Sequence, residues 1–169
     1  HLQSVPGVAD AAAAGVGMDG GRLMPSLAIG RMRESLVVQT NVPPTLSVLL
    51  GTYNRREHLQ RAVESVRQSA RGLAYEVVVT DGGSTDGSRA WLAAQPDVLL
   101  VGERRLEGAV RAFNAAFALS RGQYIANLND DMVVKGSALI EGVEYLKVHP
   151  EAGQVAFAFS QGAGLPPSI

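Results

Sequence analysis

From Thr45 onward, short apolar runs alternate with longer stretches of helical periodicity, and this alternation constrains the fold more than any single residue does. "TLSVLLGTY" has the pattern of a buried strand with a glycine near its end. "NRREHLQRAVESVRQSA" follows, with Leu59, Ala62, Val63, Val66 and Ala70 at helical spacing. Asn54 reads as the cap of this helix, with Glu57 three positions later as in a capping box. "YEVVVTD" is a second strand, and the turn after Asp81 leads into a helix carrying Trp91 and Leu92 that Pro96 helps to stop. "DVLLVGE" is a third strand. "LEGAVRAFNAAFALSRG" is a third helix, with Val110, Phe113 and Phe117 on one face and Gly122 as its C-terminal stop. "QYIANL" is the fourth strand, "GSALIEGVEYLKVHP" a helix with Ser137 as cap and Pro150 beyond its end, and "QVAFAF" a fifth strand.

Strands in turn with helices predict an α/β fold, a mostly parallel sheet flanked by helices on both faces. In such sheets ligands bind beyond the carboxyl ends of the strands. That rule gathers Thr52 and Tyr53, Asp81 to Ser84, and Asn129 to Asp131 on one rim. Residues 1–44, rich in Ala and Gly, read as an N-terminal extension or linker with a short helix near "RLMPSLAIGRMRESL". Residues 45–160 read as one domain and residues 161–169 as coil.

Composition removes several function classes. The formal net charge of −1 provides no basic field for nucleic acid. The absence of cysteine excludes disulfides and thiolate metal sites, so any metal must take oxygen or imidazole ligands. His1, His58 and His149 lack metal-ligand spacing and are assigned to the surface. No apolar run approaches the roughly 18 residues of a transmembrane helix. The N-terminal stretch also lacks the basic-then-apolar order of a signal peptide.

Asn129-Asp130-Asp131 sits between apolar residues on both sides. Adjacent carboxylates repel, and they resist burial. A plain polar turn is one account of them. A divalent cation is another, because Mg²⁺ and Mn²⁺ often take one or two carboxylates together with phosphate oxygens. Asp81 precedes Gly82-Gly83-Ser84-Thr85-Asp86. Ser84 or Thr85 can cap the next helix with Asp86 at its positive end, while the glycines permit close backbone approach by a ligand. Asn114, four residues after Val110, is placed on the core-facing side, where it either makes a local hydrogen bond or faces the crevice. Arg111 either approaches a phosphate or is solvated. The Gly-Lys-Ser/Thr ending of a P-loop is missing, as is G-x-G-x-x-G after the first strand.

Three blocks, "LSVLLGTYNRREHLQRAVESVRQ", "YEVVVTDGGSTDGS" and "GAVRAFNAAFALSRGQYIANLNDDMVV", resemble in order and spacing the nucleotide-binding half of a family 2 glycosyltransferase with the GT-A fold. The resemblance implies a nucleotide-diphosphate sugar as donor, Mg²⁺ or Mn²⁺ bridging its diphosphate, and inverting transfer to the hydroxyl of an unidentified acceptor, a glycan or a glycolipid. Thr52, Tyr53, Asn54 and Arg55 match the segment that borders the nucleoside. Asp81 matches the aspartate that contacts the base, Gly83 and Ser84 the turn after it, and Asn114 the helix block near the donor. Asn129, Asp130 and Asp131 match the D-x-D metal motif, with Asp131 as metal ligand and Asp130 as a sugar or outer contact. Three positions depart from the family: Gly82 for an aspartate, Asn129 for the first D of D-x-D, and Phe113 for an arginine. The family's acceptor-binding half and its general base follow the metal motif, so the chain is expected to be truncated before them. A non-catalytic nucleotide-sugar-binding module is the alternative. A location in the cytoplasm, or at the cytoplasmic face of a membrane, goes with the family.

Overall fold

Val48, Leu50, Val77 and Val79 lose all contact with solvent, and they fix the inner layer of the molecule. The computed structural model describes residues 42–158. Within them the order is β1 (Leu46–Thr52), α1 (Arg56–Ser69), β2 (Tyr75–Asp81), α2 (Ser88–Ala93), β3 (Val98–Gly102), α3 (Ala109–Leu119), β4 (Tyr124–Asn129) and α4 (Ala138–Val148). The strands form one parallel sheet in the order β3-β2-β1-β4.

The apolar stripe of α1 packs on one face of the sheet with Leu92 of α2 and Leu139 and Val143 of α4. Truncating a buried leucine such as Leu59 costs about 2–5 kcal/mol, because the site collapses only in part. Two serines of α1 hold the segment after β4: Ser65 Oγ accepts from the Val134 N–H at 3.0 Å and Ser69 Oγ from the Leu139 N–H at 3.1 Å.

The other face carries α3, and its packing corrects the periodicity. Val110 and Phe117 are exposed and of the expected face only Phe113 packs inward; Ala116 is buried against Leu49, Val78 and Val101, and Ala112 is buried beside Gly51. Small side chains win here because the helix lies close to the sheet. Thr80 Oγ1 donates to the Ala112 carbonyl at 2.9 Å, and a Cβ on Gly51 would stand 3.4 Å from that of Ala112. Asn114 therefore does not face the core; it is exposed.

Two more expectations shift. Gly122 does not end α3, whose C-terminal cap is Ser120. Its lack of a side chain serves packing, since a Cβ there would fall 2.4 Å from the Ser47 amide nitrogen. The stretch from Gln154 as far as Ala158 forms no strand. Instead the ring of Phe157 lies over Gly142 of α4, where a Cβ would meet it at 2.6 Å. The early helix near Arg22 and the coil from 161 lie outside the described residues.

Candidate functional site

The strand order decides where a crevice can form. β1, β2 and β3 step in one direction while β4 pairs on the other side of β1, so the chain reverses between β1 and β4. Ligand crevices in open parallel sheets lie at such a reversal, beyond the carboxyl ends. Thr52 ends β1 there and Asp130 follows β4; Thr52 Oγ1 donates to Asp130 Oδ2 at 2.7 Å. Asp130 is only 5% exposed. Arg55 stands between the two carboxylates, with Nη1 3.3 Å from Asp130 Oδ1 and 3.0 Å from Asp131 Oδ2. The repulsion between neighbouring acids is thus offset by one shared guanidinium. Arg55 and Asp131 remain open to solvent, so this pairing is screened and easily exchanged.

The loops after β1 and β2 are tied to each other. Asn54 has a left-handed backbone, φ 52°, a conformation that asparagine tolerates better than most residues. Its N–H donates to Ser84 Oγ at 2.9 Å, and its Oδ1 accepts from the Thr85 N–H at 2.8 Å. Asn54 therefore braces the second loop and does not cap α1. The cap of α1 comes from outside the helix: Asp86 Oδ2 accepts from the Arg56 N–H at 2.9 Å. Asp86 Oδ1 accepts from the Ser88 N–H at 3.0 Å, so one carboxylate serves the starts of α1 and α2. Hydrogen bonding from Ser88, then from the Arg56 amide, holds its pKa below the usual carboxylate range.

Asp81 is fully buried and accepts from the Ser84 N–H at 3.2 Å, which fixes the Gly82-Gly83-Ser84 turn. The close approach for which glycine leaves room is made by the chain itself. A Cβ on Gly83, where φ is +85°, would fall 2.9 Å from the Arg104 carbonyl oxygen; one on Gly82 would press on Leu106 at 3.0 Å. An aspartate at position 82 would meet the same obstacle. The loop after β3 therefore lies over this turn.

A cavity of about 440 Å³ opens between these pieces, with Thr52, Tyr53, Arg55, Asn129, Asp130 and Asp131 at one side and Gly82, Glu103, Leu106 and Phe113 at the other. Asn114 is not among its lining residues, and neither are Asp81, Gly83 and Ser84. An open cavity of about 710 Å³ adjoins it, lined by Asn54, Arg55, Arg56, Glu57, His58, Asp86 and Asp131. Arg111 points to neither phosphate nor bulk water alone: it stands 3.5 Å from both Glu103 and Glu107. His58 is exposed, while His149 is half-buried with its ring stacked on Tyr145.

Glu103, one residue past β3, escapes the motif reading because it lies outside the three blocks that carry the resemblance. The rule that collected the ends of β1, β2 and β4 extends equally to β3 and would have found it. Its N–H donates to the Asp81 carbonyl at 2.8 Å. Its carboxylate is buried and, among the described residues, neither oxygen has a well-formed hydrogen bond, with Arg111 Nε 3.5 Å from Oε1. Burial pushes its pKa above the ordinary glutamate value.

No cluster of three or more His, Cys, Asp or Glu side chains suited to a metal occurs among the described residues. Asp130 and Asp131 are two carboxylates that already attract one cation, Arg55. Such a donor set suits a hard divalent ion that completes its shell with phosphate oxygens and water.

The sequence model of glycosyl transferase family 2 matches residues 47–166. Among curated proteins, the succinoglycan biosynthesis protein ExoO of Rhizobium meliloti (strain 1021) is 35% identical over 103 residues, which are 60% of this chain and 29% of ExoO. Among solved structures, the mannosyltransferase PcManGT of Pyrobaculum calidifontis, in complex with GDP-Man and Mn²⁺, superposes with a TM-score of 0.54 at 26% identity. That match covers 62% of this chain and 33% of PcManGT. S. aureus TarS 1-349 in complex with UDP shares the fold, with a TM-score of 0.56 at 18% identity over 63% of this chain and 33% of TarS 1-349. The chain thus spans about a third of the length of these relatives. Its parallel sheet flanked by helices is the GT-A arrangement. No helix among the described residues is long and apolar enough to cross a membrane.

Proposed function

The chain belongs to glycosyl transferase family 2, and from that membership we propose that its rim binds the nucleotide-diphosphate sugar donor of a metal-dependent, inverting transfer to an acceptor hydroxyl. The observation that carries this reading is the Asp130–Asp131 pair at the reversal between β1 and β4, with Thr52 and Arg55 in contact. The similarity to PcManGT, which was solved in complex with GDP-Man and Mn²⁺, supports a nucleotide-sugar donor accompanied by a divalent metal.

Residues 45–160 form the donor-binding unit in this reading. Asp131, the more open carboxylate, would hold Mg²⁺ or Mn²⁺, and Asp130, oriented by Thr52, would serve as a sugar or outer contact. The ion, when bound, neutralises the charge that collects on the departing diphosphate. Asn129 contributes an amide oxygen without charge. Arg55, exposed and shared between the two carboxylates, is the residue that would exchange them for the donor phosphates with an ion bound. Tyr53 offers an exposed ring beside the nucleoside. Asp81 acts through the Gly83–Ser84 turn that it fixes, and Asn54 holds that turn from the other side. Asn114 is left without a contact to the donor. No residue is assigned as the general base that would deprotonate the acceptor, a glycan or a glycolipid. The name of ExoO supports a role in polysaccharide biosynthesis, in the cytoplasm or at the cytoplasmic face of a membrane.

The test is calorimetric titration of the chain with UDP, GDP and dTDP, with and without Mn²⁺. Binding of at least one of them, strengthened by Mn²⁺, is expected. Failure of all three to bind removes the donor-site reading.

A further inference from the structure

Leu106 is an apolar side chain left 57% exposed at the cavity, on a loop that its own backbone does little to hold. Between Glu103, whose N–H is tied to β2, and Gly108, whose carbonyl opens α3, no backbone–backbone hydrogen bond forms among the described residues. The loop nevertheless sits close. Leu106 Cδ1 is 3.0 Å from where a Cβ on Gly82 would stand, and the Arg104 carbonyl oxygen is 2.9 Å from one on Gly83. Something other than backbone pairing sets this approach.

Arg111, in the first turn of α3, supplies it. Its guanidinium reaches back between the two ends of the loop, with Nε 3.5 Å from Glu103 Oε1 and Nη1 3.5 Å from Glu107 Oε2. Arg105 Nε meets the other oxygen of Glu107 at 2.8 Å, and Arg89 Nη1 of α2 stands 3.5 Å from the Glu103 carbonyl oxygen. Both carboxylate oxygens of Glu103 are sealed from solvent, and Arg111 does not line the cavity, so neither group touches a ligand held there. A buried ion pair is weak evidence for stability; its better-attested use is to fix one geometry among alternatives.

The geometry fixed here is that of a cavity wall. Leu106, Ala109 and Phe113 make one side apolar, while Arg55, Asp130 and Asp131 make the other charged. A nucleoside diphosphate is divided in the same way, with phosphates at one end and a flat ring at the other. Resting on the donor-site reading, we propose that Arg111 and Glu103 are positioning residues that lock the loop after β3, so that Leu106 is held against the nucleoside of the donor. Glu103 gives the lock a buried anchor at the end of β3, and Arg111 carries it across to Glu107 at the start of α3.

The experiment measures binding of GDP, UDP and inorganic pyrophosphate by calorimetry with Mn²⁺ present. Four chains are compared: the unchanged one, Leu106→Ala, Glu103→Gln combined with Arg111→Met, and all three substitutions together. Removing both charges at once leaves no unpaired charge buried. The unchanged chain is expected to bind GDP or UDP more tightly than pyrophosphate. Leu106→Ala and the Glu103–Arg111 variant should each weaken the tighter nucleotide roughly tenfold, the low end for an apolar contact in a pocket, and leave pyrophosphate binding as it was. The triple variant should lose no more than about twofold beyond either, because both changes remove the same contact. Pyrophosphate bound as tightly as the nucleotides by the unchanged chain, unaltered nucleotide affinity in Leu106→Ala or in the Glu103–Arg111 variant, losses that multiply in the triple variant, or a matching loss for pyrophosphate overturns the proposal while leaving the donor site standing. Binding of none of the three by the unchanged chain removes both. If the Glu103–Arg111 variant does not fold, Arg111→Lys takes its place, since a single ammonium lacks the fork that reaches both carboxylates. Nucleotide binding by Arg111→Lys as tight as that of the unchanged chain then overturns the proposal.

Discussion

Thr52 Oγ1 donates a 2.7 Å hydrogen bond to Asp130 Oδ2 across the crevice between β1 and β4, with both residues buried. It fixes one carboxylate of the acidic pair, while the other is held only by the solvent-exposed Arg55. Thr52→Val keeps the shape of the side chain and removes the donor. A buried acceptor left short costs about 1–3 kcal/mol, which urea denaturation should register. Thr52→Ser should recover most of the loss, and a variant as stable as the parent would show that the bond does not position Asp130.

Arg55 competes with a divalent cation for Asp130 and Asp131. Arg55→Gln removes the competitor, so Mn²⁺ alone should bind roughly two- to fivefold tighter, the weight of an exposed ion pair. Nucleoside diphosphates should bind more weakly in the same variant, because a phosphate partner is lost. Opposite signs for metal and nucleotide are the signature; weakening of both would mean that Arg55 only orders the loop.

Glu76 ties the opposite end of the sheet. It accepts from Ser47 Oγ and the Arg121 N–H, each at 2.7 Å, and from the Arg121 guanidinium at 2.9 Å. Burial raises its pKa, but the hydrogen bonds from Ser47 and Arg121 outweigh burial and hold it below 4.5. A carboxylate with a depressed folded pKa contributes stability above its unfolded value, lost as pH falls through the folded one. Glu76→Gln should cost about 1–3 kcal/mol at neutral pH, flatten the acid limb below pH 4.5, and leave nucleotide affinity unchanged.

Glu103 has the opposite sign. Burial first, with the nearby Glu107, raises its pKa above 4.5 against the pull of Arg111. Stability tied to its protonated form is complete below 4.5 and lost as pH rises through the raised value. Glu103→Gln should therefore melt higher than the parent near neutral pH, with the gap closing toward about pH 4. A gap independent of pH would mean that the carboxylate is not strained by burial.

The alternation of β1 to α4 was legible because each strand is a short apolar run and each long helix keeps its stripe. The face of α3 was not, since Ala112 and Ala116 are chosen by the closeness of the helix to Gly51 and Thr80, and a large-residue pattern points instead to Val110 and Phe117. Asn54 was legible as a capping type, but its partner Thr85 and the Arg56 partner of Asp86 lie about 30 residues away across two loops, and neither Ser84 nor Thr85 caps α2, whose cap position is Gly87. The acidic pair was visible in sequence; the guanidinium between its members needed three dimensions.

The central claim is that the rim takes a cation and a diphosphate together, with Asp131 holding the ion. Electron paramagnetic resonance of free Mn²⁺ tests it directly, since the sharp signal falls as the ion binds. With GDP and UDP each present at saturation, the parent chain should deplete the free signal well beyond what nucleotide alone removes, and Asp131→Asn should abolish that extra depletion. Equal depletion by parent and Asp131→Asn would contradict the account.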